Sequence, residues 1–194
     1  MAFKIFWIFR GLFYKLFFGR FLLPSYIGKP TYIGGFKNIY IGKNVRIFPN
    51  VRMEAIGENG RISIGNNVAI AQNVHITSAR NLNIGNNSTI LQNVMITNID
   101  HDYTKIGQHI LEQPHIVSPT DIGENCFIGF GAVIQAGTVL GKQCIVGANS
   151  VVRGSFPDFC VIVGVPAKIT KRYDVVEQCW RRTDRNGNFL TDLE

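Results

Sequence analysis

The side chains best suited to proton transfer near neutral pH in this 194-residue chain are four histidines, His75, His101, His109 and His115. A neutral imidazole can take the proton of a hydroxyl group as that group attacks an electrophile, which is the role of a general base. Three of the four lie between residues 97 and 120, and no cysteine does. General-base catalysis by a histidine of this segment is therefore one chemistry open to the chain, an exposed and inert histidine is the alternative, and a thiol nucleophile is not expected there.

The elements that must position these histidines are predicted by aliphatic residues spaced six apart. The clearest set is Ile122, Ile128, Ile134, Leu140, Val146 and Val152, and earlier sets are Ile41, Ile47, Met53, then Ile64, Ile70, Ile76, then Ile84, Ile90, Ile96. Neither a helix nor a flat strand has this period, whereas three hexads make one coil of about 18 residues in a β-solenoid. We predict a mainly β solenoid of about six coils over residues 33–164.

The segment from Thr97 to Thr120 breaks the period and is predicted to be a loop that leaves the solenoid. Because binding and catalytic residues concentrate on loops held by a rigid scaffold, function is expected there. Several rungs of the ladder are followed by Gly, as in Ile122-Gly123 and Ile128-Gly129. Such a Gly indicates a corner that needs either a positive φ or close packing between coils.

The N-terminal segment concentrates positive charge and aromatic residues. The chain has a net charge of +7; up to Met53 it carries nine basic residues and no acidic one, and residues 1–23 hold seven of its 14 Phe. Charges interrupt every apolar run, which argues against a spanning helix and a secretory signal. We predict an amphipathic helix over residues 1–24 that lies on an anionic membrane surface. A helix that caps the open first coil is the alternative, and a nucleic-acid partner is not expected.

The repeated [LIV]-G-x-x-small-x hexads, the interrupting loop that begins near a His, and the closing run from Val163 to Lys168 resemble the hexapeptide-repeat acyltransferases. The resemblance covers roughly residues 30–172 and is closest to the O-acetyltransferase branch, which includes maltose, galactoside, nodulation-factor and polysaccharide-modifying enzymes. It implies a left-handed parallel β-helix, a homotrimer, acetyl-CoA as donor, and acetyl transfer to a hydroxyl of a sugar or glycan precursor. No metal is expected.

In this family the base follows a run that resembles residues 84–100 without a gap, which assigns the role of general base to His101. Relatives often have a small residue and then Pro here, whereas this chain reads Asp100-His101-Asp102, and a carboxylate beside the ring would favour the imidazolium. The resemblance also implies acceptor binding by Asn73 and Glu112. A corner Asn is equally common for turn reasons alone. The remaining loop histidines are expected to be exposed and inert.

On the donor side, the resemblance implies that a long pantetheine arm lies in a groove lined by small residues. The positions that match are Gly129, Phe130, Gly147, Ala148 and Arg153, with Lys168 and Lys171 placed to meet CoA phosphates. A basic cluster after the last coil is also common as a solvated face. The β-helix domain is predicted to span residues 25–168. Residues 169–194 are predicted to form a short amphipathic helix, over Tyr173–Arg182, and a tail.

O-acetyl transfer has three alternatives. N-acetyl transfer to an amino sugar and a non-catalytic trimeric β-helix scaffold both stay open. A zinc-dependent carbonic anhydrase on the same solenoid is disfavoured, because the close His pair with four intervening residues is absent. The four cysteines form no Cys-x-x-Cys pair, and two of them occupy small-residue hexad positions. They indicate a reducing, cytoplasmic compartment, where the protein is expected on the inner face of the cell membrane.

Overall fold

The computed structural model describes the backbone of residues 2–184 and 186–190, and within these ranges the side chains from residue 5 onward. Helix α1 (Ala2–Tyr14) precedes a parallel β-solenoid of about seven turns, which confirms the predicted left-handed parallel β-helix with an N-terminal helix. Each coil contributes one short strand to each of three sheets, called here the first, second and third face. Strands within a face pair parallel, coil upon coil.

The first face contains Arg20–Phe21, Ile39–Ile41, Arg61–Ile64, Asn81–Ile84, Thr120–Ile122, Val139–Leu140 and Ser155–Phe156. The second face contains Tyr26–Ile27, Arg46–Ile47, Ala69–Ile70, Thr89–Ile90, Phe127–Ile128, Ile145–Val146, Cys160–Gly164, Ala167–Asp174 and Cys179–Arg182, the last two antiparallel. The third face contains Tyr32–Gly34, Arg52–Ala55, His75–Ser78, Met95–Thr97, Val133–Ile134 and Val151–Val152.

The predicted ladder forms the core. All fifteen predicted rungs are between 0% and 2% exposed, and each sits in register on its counterpart one coil away, as Ile90 does between Ile70 and Ile128. Strands alternate between inward and outward side chains, so one residue in two enters this core. Because each Ile buries its face only against the coils above and below it, the solenoid is stable as a stack and not coil by coil.

Asn and Gly have different roles at the corners between the faces. Positive φ falls mainly on Asn, as at Asn73 (φ 60) and Asn87 (φ 59), where the short polar side chain tolerates the left-handed conformation. A Cβ on Gly85 would lie 2.5 Å from the carbonyl carbon of Gly123 in the next coil. The Gly that follows this rung therefore serves close packing between coils and not a positive φ.

The chain leaves the solenoid after Thr97 and rejoins it at Thr120. Between them lie a two-stranded antiparallel ribbon, Ile99–His101 with His115–Val117, and a 3₁₀ helix, Ile110–Glu112. The exit is held by Asn98, which is fully buried. Its side chain accepts from the backbone N–H of Ala79 at 2.9 Å and donates to Ser78 Oγ at 2.9 Å. The buried amide of Asn98 thus provides hydrogen-bond partners for polar groups of the preceding coil at the point where the chain leaves the solenoid.

Helix α1 covers the open end of the first coil. Trp7 packs on Tyr26 and Phe48, with ring centroids 5.9 and 5.6 Å away, and Gly11 lies over the buried ring of Phe21. The helix ends well before residue 24, because Arg20–Phe21 already pairs with the next strand of the first face. Within the described residues, none of the helices has the length and apolarity needed to span a bilayer.

The predicted C-terminal helix over Tyr173–Arg182 is wrong, because this segment forms two strands of a hairpin. Asp174 accepts hydrogen bonds from the backbone N–H groups of Val176 and Glu177 and so closes a turn, and Gln178 has a positive φ of 51°. The hairpin extends the second face by pairing with Cys160–Gly164. Backbone pairing at an open sheet edge thus outweighs the local helical pattern.

Candidate active site

His101 ends the first strand of the loop ribbon and is exposed at the mouth of a cleft of about 380 Å³. The floor of the cleft is the third face, and the ribbon forms its wall. Its lining residues are Ile56, Thr77, Met95, Thr97, Ile99, Asp100, His101, His115, Val133, Gln135 and Ala136. An imidazole at this position can reach a polar molecule that occupies the cleft.

The two carboxylates that flank His101 in sequence bind other partners. Asp100 accepts from the backbone N–H of His101 at 2.9 Å, and its second oxygen lies 3.4 Å from Nη1 of Arg153. Asp102 accepts from the backbone and the hydroxyl of Thr104, at 2.9 and 2.8 Å, and these bonds lower the pKa of Asp102. Both groups are thus engaged away from the imidazole ring.

Polar residues of the third face line the cleft in a column that the sequence analysis missed. The residue after each third-face rung is polar in five successive coils: Glu54, Thr77, Thr97, Gln135 and Arg153. The Thr77 hydroxyl donates to the Thr97 hydroxyl at 3.2 Å, and both line the cleft with Gln135. The sequence carried a signal for this column, since the third-face rung of these coils is followed by a polar residue, whereas the predicted first-face rungs are followed by Gly.

His115 is the second residue that the sequence analysis missed as part of the site. The ribbon pairs it directly with His101, and their ring centroids are 5.0 Å apart at an interplanar angle of 81°. It was expected to be exposed and inert, and it is exposed but lines the cleft. Nothing in the hexad period indicates an antiparallel register inside the loop.

His75 lies below the cleft, one coil before Met95 on the third face. Its Nε2 is buried without a hydrogen-bond partner among the described residues and lies 3.8 Å from Glu54 Oε1. Burial lowers the pKa of His75, and the guanidinium of Arg52 acts in the same direction. The neutral ring is therefore the favoured form at this position.

The residues assigned to the donor are brought together along one corner. Gly129 and Phe130 lie where the second face turns into the third, and Gly147 and Ala148 occupy the same corner one coil further on. A Cβ on Gly129 would lie 2.7 Å from the backbone nitrogen of Ala148, so the coils approach closely here. Two exposed lysines lie beyond this corner, on the antiparallel strand Ala167–Asp174: Lys168 pairs with Val163 and Lys171 with Val161.

The structure separates the other predicted site residues. Arg153 is directed to Asp100 at the cleft and lies outside the corner column. Asn73 occupies an equivalent corner two coils before Gly129, with a left-handed backbone, and its Nδ2 donates to Asn93 Oδ1 at 3.1 Å. Glu112 is exposed in the 3₁₀ helix at the outer part of the loop. Neither Asn73 nor Glu112 lines the cleft of the single chain. In the described residues, no cluster of three or more His, Cys, Asp and Glu side chains suits a metal ion.

Comparison with known proteins identifies relatives over most of the chain. Residues 119–153 match the family described as the hexapeptide repeat of succinyl-transferase. A putative lipopolysaccharide biosynthesis O-acetyl transferase, WbbJ of Escherichia coli K12, is 35% identical over 161 residues, which cover 79% of this chain and 81% of WbbJ. Galactoside O-acetyltransferase of the same organism is 30% identical, over 76% of this chain and 60% of its own length.

Among solved structures, AntD is similar in fold. This N-acyltransferase from Bacillus cereus, in complex with dTDP and 3-hydroxybutyryl-CoA, superposes with a TM-score of 0.71 at 21% identity, over 87% of this chain and 91% of AntD. The similarity at that identity concerns the fold alone, whereas the WbbJ match is a match in sequence over 79% of the chain. The chain belongs to the hexapeptide-repeat acetyltransferase family.

Proposed function

We propose that this protein transfers an acetyl group from acetyl-CoA to a hydroxyl of a sugar or glycan precursor of the polysaccharide, O-antigen or capsule type, with His101 as general base. The observation that carries the proposal is the position of His101, exposed at a cleft that also presents Thr77, Thr97 and Gln135, on the solenoid of an acetyltransferase family. The similarity to WbbJ and to galactoside O-acetyltransferase supports a sugar as acceptor.

The proposed reaction needs one proton acceptor and no covalent enzyme intermediate. His101 takes the proton of the acceptor hydroxyl while the oxygen attacks the thioester carbonyl carbon. The tetrahedral intermediate collapses as the C–S bond breaks, and the imidazolium returns the proton to the CoA thiolate. A backbone N–H that stabilises the oxyanion, together with the proximity of the two substrates, supplies the rest of the acceleration.

Acetyl-CoA is assigned to the corner column of Gly129, Phe130, Gly147 and Ala148. Glycines at a corner where coils touch leave room for a thin pantetheine arm and for its hydrogen bonds to backbone groups. Exposed Lys168 and Lys171 suit the CoA phosphates, since ammonium groups bind phosphate as mobile point charges. AntD, whose crystal structure contains an acyl-CoA, supports a CoA thioester as donor.

We infer a homotrimer from the resemblance and from the layout of the chain. The ribbon that carries His101 leaves the third face after the strand Met95–Thr97, whereas the donor corner precedes the strand Val133–Ile134 of that face. A donor bound along the corner of one copy would meet His101 of a neighbouring copy if chains pack side by side. Asn73 and Glu112 do not line the cleft of one chain. In the same side-by-side packing, the corner that carries Asn73 and the outer loop that carries Glu112 would approach an acceptor bound in the cleft of a neighbouring copy.

We also propose that the protein acts in the cytoplasm at the inner face of the cell membrane, through residues 1–23. One side of helix α1 packs on the first coil, so the capping role and the membrane role are compatible. Its other side exposes an apolar surface formed by Ile5, Phe6, Ile8, Phe9, Leu12 and Phe13, continued by Leu16 and Phe17. Exposed Lys15, Arg20 and Lys37 flank this surface, and no acidic residue precedes Glu54. An apolar face with a basic rim suits anionic lipid.

N-acetyl transfer to an amino sugar is the second candidate, and the fold shared with the N-acyltransferase AntD favours it. The two are separated by the acceptor. Purified protein is incubated with acetyl-CoA and either isopropyl β-thiogalactoside or dTDP-4-amino-4,6-dideoxyglucose, and free CoA is measured with a disulfide dye. Faster release with the galactoside supports O-transfer, and faster release with the amino sugar supports N-transfer.

The base assignment is tested in the same assay with His101→Ala. We expect its rate to fall by about 100-fold or more, because general-base catalysis contributes that much in enzymes. His109→Ala is the matched control: this histidine lies in the same loop, where its Nδ1 accepts from the backbone N–H of Leu111, and its loss should change little. Equal rates for wild type and His101→Ala would contradict the assignment. A wild type that releases no CoA with either acceptor would favour the scaffold.

A further inference from the structure

The imidazole of His115 packs against the ring of His101. Their centroids are 5.0 Å apart at 81°, an edge-to-face arrangement. Aromatic rings favour this geometry because the positive edge of one meets the negative face of the other. The side chains of directly opposed residues in an antiparallel pair lie on the same face, so the contact follows from the register.

The backbone holds this pair at a fixed distance. The ribbon begins with a hydrogen bond from Ser118 N–H to the carbonyl of Asn98 at 3.0 Å and ends with one from Asp102 N–H to Pro114 at 3.1 Å. Beyond it, the buried amide of Gln113 bonds to the backbone of Lys105 and Gln108. The loop that carries the two rings is therefore ordered by its own hydrogen bonds.

Other groups that could orient His101 are occupied. In many histidine bases a carboxylate bonds to the ring nitrogen that does not face the substrate. Here the carboxylate of Asp100 is bound to Arg153, and that of Asp102 to Thr104. The imidazole of His101 makes no hydrogen bond among the described residues, so the ring of His115 is the contact that restricts its rotation.

We infer that His115 is a positioning residue, which holds the His101 ring in the orientation needed to take the acceptor proton and acts through its aromatic face and edge. This inference rests on the proposed role of His101 as base. It differs from a second proton-transfer role because an aromatic ring without ionisable nitrogens can replace it. A misoriented base affects the chemical step and leaves donor binding unchanged.

Kinetics of three variants test the inference, with acetyl-CoA and isopropyl β-thiogalactoside as substrates and water as acceptor if the galactoside is not used. His115→Ala should lower kcat about tenfold and leave the KM for acetyl-CoA within about twofold. His115→Phe should keep kcat within about threefold of wild type, since it retains an aromatic edge. The control His109→Ala should match wild type. Unchanged kcat in His115→Ala, or His115→Phe as slow as His115→Ala, would overturn the inference.

A second measurement does not depend on activity. In protein labelled selectively at histidine, the side-chain proton resonances of His101 are assigned from their loss in His101→Ala. These resonances should move in His115→Ala, because the ring-current field of His115 is removed, and stay in place in His109→Ala. If His115→Ala leaves them in place, the two rings do not touch and the inference fails. If they move but the wild type releases no CoA, the failure lies with the proposed function.

Discussion

Nη1 of Arg153 lies 3.4 Å from Oδ2 of Asp100, although 53 positions separate the two residues in the chain. Asp100 precedes His101 in the loop, and Arg153 follows the third-face rung two coils after the chain leaves the solenoid. The ion pair ties the loop to the scaffold, and it neutralises a carboxylate next to the proposed base. Arg153 therefore lies at the loop that carries His101, away from the corner column of Gly129 and Gly147 with which the resemblance groups it.

Removing the guanidinium of Arg153 should lower the activity that depends on His101 more than it lowers the stability of the protein. We expect Arg153→Ala to lower kcat, because the freed Asp100 carboxylate would then compete for a hydrogen bond with the His101 imidazole and turn it away from the acceptor. The free energy of unfolding should change by less than about 1 kcal/mol, since the pair is exposed. Adding Asp100→Asn should restore part of kcat. If the KM for acetyl-CoA rises while kcat holds, Arg153 contacts the donor instead.

The outer side of helix α1 should bind anionic bilayers. Full-length protein should sediment with vesicles that contain phosphatidylglycerol and less with pure phosphatidylcholine, and salt should weaken the binding. Phe9→Asp with Phe13→Asp should reduce binding at least about tenfold, because two apolar side chains leave the interface. Ile106→Asp with Leu111→Asp is the control, since these loop residues are apolar and even more exposed. Unchanged binding in the helix variant would contradict lipid contact, and a changed oligomeric state would assign the surface to a second copy.

Mixing inactive subunits tests whether one site uses two chains. Ala148→Trp should block the donor corner, and His101→Ala removes the base. If corner and base of one site come from different subunits, refolded or co-expressed mixtures should regain about one quarter of wild-type activity, while each variant alone stays inactive. A mixture that remains inactive would place both parts of the site on one chain. Sedimentation of the wild type should give the mass of three chains.

His75 should make the stability of the protein depend on pH. Because burial holds its pKa below the unfolded value of about 6.5, the unfolded chain binds the proton more readily. The stabilisation is complete above that value and is lost as the pH falls through it towards the folded pKa. Between about pH 7 and pH 5, the free energy of unfolding should therefore decrease more steeply in wild type than in His75→Gln. Chemical denaturation at each pH measures this, with His109→Gln as the control, and parallel profiles would contradict it.

The fold was predictable because a single repeated position carries it. Ile90 or Ile128 is identifiable from spacing alone, since each rung enters the same core column and has the same requirement. Corner chemistry was only half predictable: Asn73 has the positive φ, and Gly85 serves the close contact between coils. The C-terminal hairpin was not predictable from local pattern. Its strands are stabilised by the open edge of the second face, which exists only once the last coil has formed.

The candidate site, like the fold, was predictable from the sequence only in part. His101 was found because it follows a regular run, whereas His115 reached the cleft through a pairing register that no period encodes. The polar column that includes Thr77, Thr97 and Gln135 was predictable in principle, because each of its members follows a third-face rung. The six-residue period identifies the inward residues only and so did not indicate it. The polar residue after each third-face rung, from Met53 to Val152, is the pattern that predicts this column.

Asn98 marks where the loop departs, and the coils above and below the departure stay in register, with Ile96 on Ile134 and Ile84 on Ile122. The solenoid therefore does not depend on what lies between residues 98 and 119 for its continuity. A loop of other length and sequence could be inserted at the same point without shifting a rung. Substrate choice in such a protein can diverge by exchange of one segment, while the scaffold and the corner proposed to bind the donor are inherited unchanged.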